Sequence, residues 1–294
     1  MQPYSPEGLA VTIPTPEALH RSLGTGEIFQ AMCIKCDEFR NLHVDLGSVR
    51  GVIPREETAL GHRDGRVRDY AILSRVGKPV SFQVLGFDSL GCAILSRRAA
   101  QSDAREYFLS ALHPGDILPA VVLNTAKCGV FCDIGCGYTA LMGISRCCVS
   151  RMEDPAYHFK PGQVIHAAVL SIDDEEGRIS LTGRELLGTW EENAARFRPG
   201  QTVPGMIRSV MPYGVFVELA PNLSGLAEPA EDLMPGMAVS VYIRSILPEK
   251  HKLKLNIIDI LPDLPKQPPL EYFITSGHLD RWEYYPGSKT VTVF

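Results

Sequence analysis

The sequence predicts a mainly β protein built from three tandem five-stranded barrels joined by short helices. Runs of strand length, rich in Val, Ile, Leu and Phe, recur between Gly, Pro and Asp turns. A Pro-Gly pair opens two blocks, at Pro114-Gly115 and Pro199-Gly200, and the spacing that follows repeats. Gly115 to Gly129 and Gly200 to Gly214 both cover 14 residues, and Gly162 to Leu181 and Gly236 to Leu255 both cover 19. Between blocks, at 97–112 and 186–197, the apolar period turns helical.

Residues 1–25 hold four prolines and read as a loose arm with one short helix starting near the N-cap Thr15. Block 26–112 places strands at 27–34, 41–47, 51–54, 79–85 and 92–96. Its polar segment carries Arg63, Arg66, Arg68 and Arg75, interleaved with Asp64 and Asp69, and is expected to be a solvated face. Ala100, Ala104, Tyr107, Phe108 and Ala111 share one side of the helix that closes the block. Block 113–197 has strands at 117–124, 129–134, 139–145, 167–172 and 178–182, with an acidic tip at 173–176. A helix follows, with Leu186, Trp190, Ala194 and Phe197 on one face.

Block 198–261 repeats this order with a shorter middle. Gly129 to Gly162 is 33 residues but Gly214 to Gly236 is 22, so the third module lacks 11 residues of connection. Its second strand, at 212–219, sets Tyr213 and Phe216 around Gly214, a glycine that permits a bend. Segment 262–294 opens with a proline-rich linker to 269. Its tail carries Tyr272, Phe273, Trp282, Tyr284 and Tyr285, expected to pack back on the third module. A hairpin around 286–289 ends the chain.

Composition narrows the function. With 29 Lys and Arg against 34 Asp and Glu, the charge is −5, which disfavours a duplex-DNA binder but leaves single-stranded nucleic acid open, since stacking needs little net charge. No apolar run approaches the roughly 18 residues of a membrane span, so no membrane partner is expected. The N-terminus lacks a signal-peptide pattern, and the eight scattered cysteines read as cytoplasmic thiols. Cys33 and Cys36 make half a zinc ribbon with no second half, because Cys147 and Cys148 are adjacent. Cys128, Cys132 and Cys136 read as small apolar filling. No cofactor is expected. There is no phosphate loop, nucleophile elbow or helix-borne metal pair, and the reading is non-enzymatic.

From Gly200-Gln201-Thr202-Val203 through Tyr213-Gly214-Val215-Phe216-Val217 to Ser224-Gly225-Leu226, the third block resembles the RNA-binding domain named after bacterial ribosomal protein S-one. Gly115-Asp116-Ile117, Gly129-Val130-Phe131, Asp173 and Arg178-Ile179-Ser180-Leu181 resemble the same domain. The likeness covers about 26–260, and the order of modules looks like the S-one-like group of Gram-positive bacteria. It implies barrels of the oligonucleotide-binding type, with single-stranded RNA (mRNA) and the ribosome as partners in translation. In that family bases stack on two aromatics of the second strand, beside a histidine on the third and a basic residue near the last.

Carried over by position, the third module keeps Tyr213, Phe216 and Lys252, with Glu228 at the histidine position. The second keeps Phe131, Asp173 and Arg178, with Cys128 and Gly143 at the other two. In the first, His43 and Arg40 stand at the aromatic positions. The competing reading is a protein-interaction scaffold that docks on the ribosome or another complex with little RNA affinity.

Overall fold

In the computed structural model, which describes residues 4–61, 69–261 and 270–294, the strands close into three five-stranded barrels. The first runs β1 (Phe29–Cys36), β2 (Leu42–Leu46), β3 (Val49–Ile53), β4 (Pro79–Phe87) and β5 (Ala93–Ser96). The second runs β6 (Ile117–Ala126), β7 (Gly129–Asp133), β8 (Thr139–Gly143), β9 (Val164–Asp173) and β10 (Arg178–Thr182). The third runs β11 (Thr202–Met211), β12 (Gly214–Ala220), β13 (Leu223–Ala227), β14 (Ala238–Leu247) and β15 (Lys252–Ile260). Each barrel closes through one parallel pair between its third and fifth strands. The predicted fold class is therefore present in all three copies, each with the Greek-key strand order of the oligonucleotide-binding barrel.

Alternation builds each core. In the third barrel Val215, Val217, Val239, Val241, Ile243, Leu253 and Leu255 are all buried, each separated from the next on its strand by an outward residue. Gly129 and Gly214 open the second strands with φ of 151° and 154°. A Cβ there would lie 2.1 Å from the Met142 carbonyl oxygen and 2.6 Å from that of Ala227, so only glycine lets the neighbouring strand come this close.

Among the described residues, five helices flank or connect the strands: α1 (Pro16–Arg21), α2 (Asp69–Leu73), α3 (Arg97–Ala111), α4 (Ile144–Cys147) and α5 (Trp190–Ala194). Thr15 caps α1, accepting from the Ala18 N–H. Along α3, Ala100, Ala104 and Phe108 are fully buried, whereas Ala111 in the last turn is exposed. The single helix expected over 186–197 is two pieces. Gly188, at φ 82°, breaks the path after a 3₁₀ turn, and Thr189 then starts α5 with a reciprocal capping box to Glu192. Leu186, Trp190 and Ala194 are nonetheless buried, so the spacing identified the apolar face but not the break.

Two compact units result. The first comprises Met1–Leu112 with Asp133–Ala140 and Asp174–Gly177; the second holds the remainder. In the first unit the N-terminal arm is pinned by charge. Glu7 takes Arg97 bidentately at 2.7 and 2.9 Å, and its backbone N–H donates to Asp133 at 2.7 Å. Arg75 lies 3.5 Å from Glu7, with a side chain only 17% exposed. This corrects the solvated face expected of Arg75; Arg63, Arg66 and Arg68 lie outside the described residues, as does the 262–269 linker. Cys132 and Cys136 are buried as filling, but Cys128 is exposed.

Asp133 also accepts from the Gly135 and Gly137 N–H groups at 2.8 and 2.9 Å. Burial, with Glu7 beside it, pushes its carboxyl up to about 7 from an ordinary 3.8. The folded chain then holds a proton that the unfolded chain releases. Stability from this group is present in acid and is lost as pH rises from 3.8 toward about 7. Thermal melts of the intact chain across that range should show a falling component, and Asp133→Ala should flatten it even while lowering stability at every pH.

Candidate nucleic-acid interface

Because β12 sends Val215 and Val217 inward, Phe216 and Glu218 face out. Tyr213 lies in the turn that joins β11 to β12 after the Met211–Gly214 pair, and it is 65% exposed. Its ring meets Phe216 edge to face, with centroids 6.3 Å apart and planes at 88°. That geometry holds the two rings together without stacking them on each other, so only one face of one ring is taken up by their mutual contact. Leu226, directly opposite Phe216 on β13, completes the platform; its Cδ1 approaches within 2.8 Å of where a Gly214 Cβ would be.

Sheet register extends this row. Phe216 pairs with Leu226, and Leu226 pairs with Lys254 on β15. Lys252, reached by counting in the sequence, is exposed on the same outward side two residues earlier, level with Leu247. Lys254 is the basic residue level with the aromatic platform, which spacing alone did not reveal. Glu228, directly after β13, is exposed and pairs with Arg244 at 3.3 Å.

Beyond Phe216 the outward face is covered. The 11 residues that distinguish the second module's connection from the third's belong to a segment that lies against β11–β13. Ser150 donates its N–H to Pro221, its hydroxyl meets Ser224 at 2.8 Å, and the Val149 N–H donates to Asn222. At a bulge in β11 the buried Arg208 donates to both Glu218 oxygens at 2.8 and 2.9 Å, and Tyr157 caps its guanidinium at 4.9 Å. His158 Nε2 stands 3.0 Å from Glu218 and 2.9 Å from Arg208.

Burial opposes ionisation of Glu218, but hydrogen bonds from His158 and Arg208 outweigh it and hold its carboxyl below the usual carboxylate value. Cys148, His158 and Glu218 bring metal-capable atoms within 4.8 Å of one another. The guanidinium already engages Glu218 and His158, so the cation in this cluster is Arg208.

The aromatic tail packs only in part on the third module, where Tyr284 and Tyr285 lie against the core; Tyr272 instead meets His166 of β9 edge to face at 5.2 Å, and the Phe273 N–H donates to the Leu186 carbonyl. Trp282 is buried, the Tyr284 hydroxyl donates to the Asn222 carbonyl, and Tyr285 stacks on His251 at 3.8 Å. Its strands β16 (Arg281–Glu283) and β17 (Val291–Val293) form the expected hairpin.

The other modules assemble less. Phe131 is half-buried and exposed Cys128 stands in the position of Tyr213. Asp173 and Arg178 face each other across the β9–β10 hairpin, and the residue paired with Leu141 is Ser180, where the third module has Lys254. In the first unit His43 approaches Asp37 at 3.3 Å, and Arg40, at φ 68°, pairs with Asp69. Sequence reasoning passed over Phe39, 70% exposed in the turn before β2, because it precedes the aromatic position by one residue.

No family model matches the chain. It is 30% identical over 273 residues to the small ribosomal subunit protein bS1 homolog of Bacillus subtilis, covering 87% of this chain and 69% of that protein. The chain belongs to the ribosomal protein bS1 family. A second bS1, from Leuconostoc lactis, is 29% identical over 74% of this chain and 53% of its own length, so the chain spans between about half and two thirds of these relatives. A solved multidomain protein with nucleic-acid-binding domains from Streptococcus pneumoniae aligns over 81% of this chain and 75% of its own, at 16% identity and a TM-score of 0.28. Among the described residues of this bS1-family chain, no helix is long and apolar enough to cross a membrane.

Proposed function

We propose that the chain is a non-enzymatic, cytoplasmic single-stranded RNA-binding protein linked to translation, with mRNA as substrate class and the ribosome as the assembly it serves. Membership of the bS1 family supports the class. The observation that carries the mechanism is the edge-to-face pair of exposed Tyr213 and half-buried Phe216, with Phe216 level with Leu226 and Lys254 across the sheet. Bases stack on such a platform with little regard for sequence, and Lys252 and Lys254 supply the phosphate contacts.

The third barrel is the main contact. Phe131 and Arg178 of the second are auxiliary, because Asp173 opposes Arg178 and Cys128 stands where the second aromatic would be. His43 and Arg40 are spoken for by Asp37 and Asp69, which makes the first barrel a structural or docking module. Five domains follow from this reading: an arm (1–25), three modules (26–112, 113–197, 198–261) and a tail (262–294). Fluorescence anisotropy of the intact chain with labelled single-stranded and duplex RNA tests it. Tight, single-strand-selective binding that Phe216→Ala weakens more than Phe131→Ala is expected; equal weakening would remove the third barrel's leading role.

A further inference from the structure

Glu228 places a carboxylate at the rim of the aromatic platform. Val215 pairs with Ala227, so Glu228 comes next, level with Gly214 and two residues from the outward Leu226. It is therefore the diagonal neighbour of Phe216, about 7–8 Å away between side-chain origins, within reach of a base stacked there. Gly214 offers no side chain to separate the carboxylate from that base. The Glu228 side chain is 80% exposed, and one of its oxygens, Oε1, faces Arg244 at 3.3 Å. A pair this open is weakly held, so the carboxylate can turn to a ligand at small cost.

A carboxylate here repels phosphate, so it has to be matched to a base edge. Its two oxygens accept two parallel N–H donors, as they do from a guanidinium. Among the four bases, guanine alone carries two neighbouring donors, N1–H and the N2 amino group, side by side on its Watson–Crick edge. Adenine and cytosine offer one amino group there, and uracil one imide. Stacked single-stranded bases leave that edge open to side chains. Arg244, next to the carboxylate, suits the guanine O6 acceptor.

We propose that Glu228 makes the Tyr213/Phe216 platform selective for guanine. The inference rests on the RNA-binding reading above. The test is anisotropy of the intact chain with a short labelled oligouridine, the same oligomer with one central guanosine, and the same with inosine, which lacks the N2 amino group. The guanosine oligomer is expected to bind about tenfold tighter than the other two, and Glu228→Gln to bring all three together at the oligouridine affinity. Equal binding of guanosine and inosine oligomers by the native chain overturns the guanine inference. If binding is equal but still depends on Tyr213 and Phe216, the RNA reading stands without it. If none of the three oligomers binds, the RNA reading falls and the inference with it; if Tyr213→Ala/Phe216→Ala leaves their binding unchanged, the platform is not the binding face and the inference falls alone.

Discussion

Tyr213→Ala/Phe216→Ala is expected to weaken single-stranded RNA binding by about 30-fold or more while leaving the fold intact. Each base–aromatic contact is worth about 1–3 kcal/mol, so losing two costs at least about 2 kcal/mol, which corresponds to that factor. Both side chains lie on the outward side, and the barrel core of Val215, Val217, Leu253 and Leu255 is untouched, so melting should hardly move. Salt provides a second readout. With Lys252 and Lys254 as the phosphate contacts, the logarithm of affinity should fall against log salt with a slope of about −1.4, shallow for a nucleic-acid binder. Full-strength binding by the double variant would overturn the assignment of this face, and no measurable RNA binding by the native chain would favour the scaffold reading.

Glu218→Ala is expected to destabilise the second unit by about 3–5 kcal/mol, because it strands the buried Arg208 guanidinium without its carboxylate. Both side chains are at most 4% exposed, so water cannot replace the lost partner. The double variant Arg208→Met/Glu218→Leu should lose much less than Glu218→Ala alone, since it removes the stranded charge and fills the space. Urea denaturation of the intact chain measures both. The folded carboxyl of Glu218 is held below its unfolded value, so its stabilisation is present above the usual carboxylate range and is lost as pH falls through the depressed value. Asp133 in the first unit behaves oppositely, losing its contribution as pH rises.

The number of barrels, most strand positions and the Tyr213/Phe216 pair were legible because Pro-Gly turns and alternating apolar residues are local signals. Thr15 was legible because a cap demands a particular residue, whereas Gly214 was read as a bend and Gly129 only as a spacing mark, and the close approach of the neighbouring strand emerges only from the pairing. What stayed hidden depends on register or on contacts distant in sequence. Lys252 and Lys254 share one side of β15, and only the pairing of Leu226 shows that Lys254 is level with Phe216. Arg208 reads as a strand residue; the bulge that turns it onto Glu218 is a property of the pairing. The longer connection of the second module was counted, but its docking on β11–β13 could not be read from its length. The Gly188 break went unseen because the apolar spacing of Leu186, Trp190 and Ala194 runs straight through it.

Photocrosslinking of single-stranded RNA carrying 4-thiouridine to the intact chain, with the adducts mapped by mass spectrometry, tests the assignment of the binding face most directly. Adducts concentrated at Tyr213, Phe216 and the adjoining β13 and β15 residues are the expected result. Adducts confined to the first barrel, or an absence of adducts under conditions where binding is measured, would contradict it.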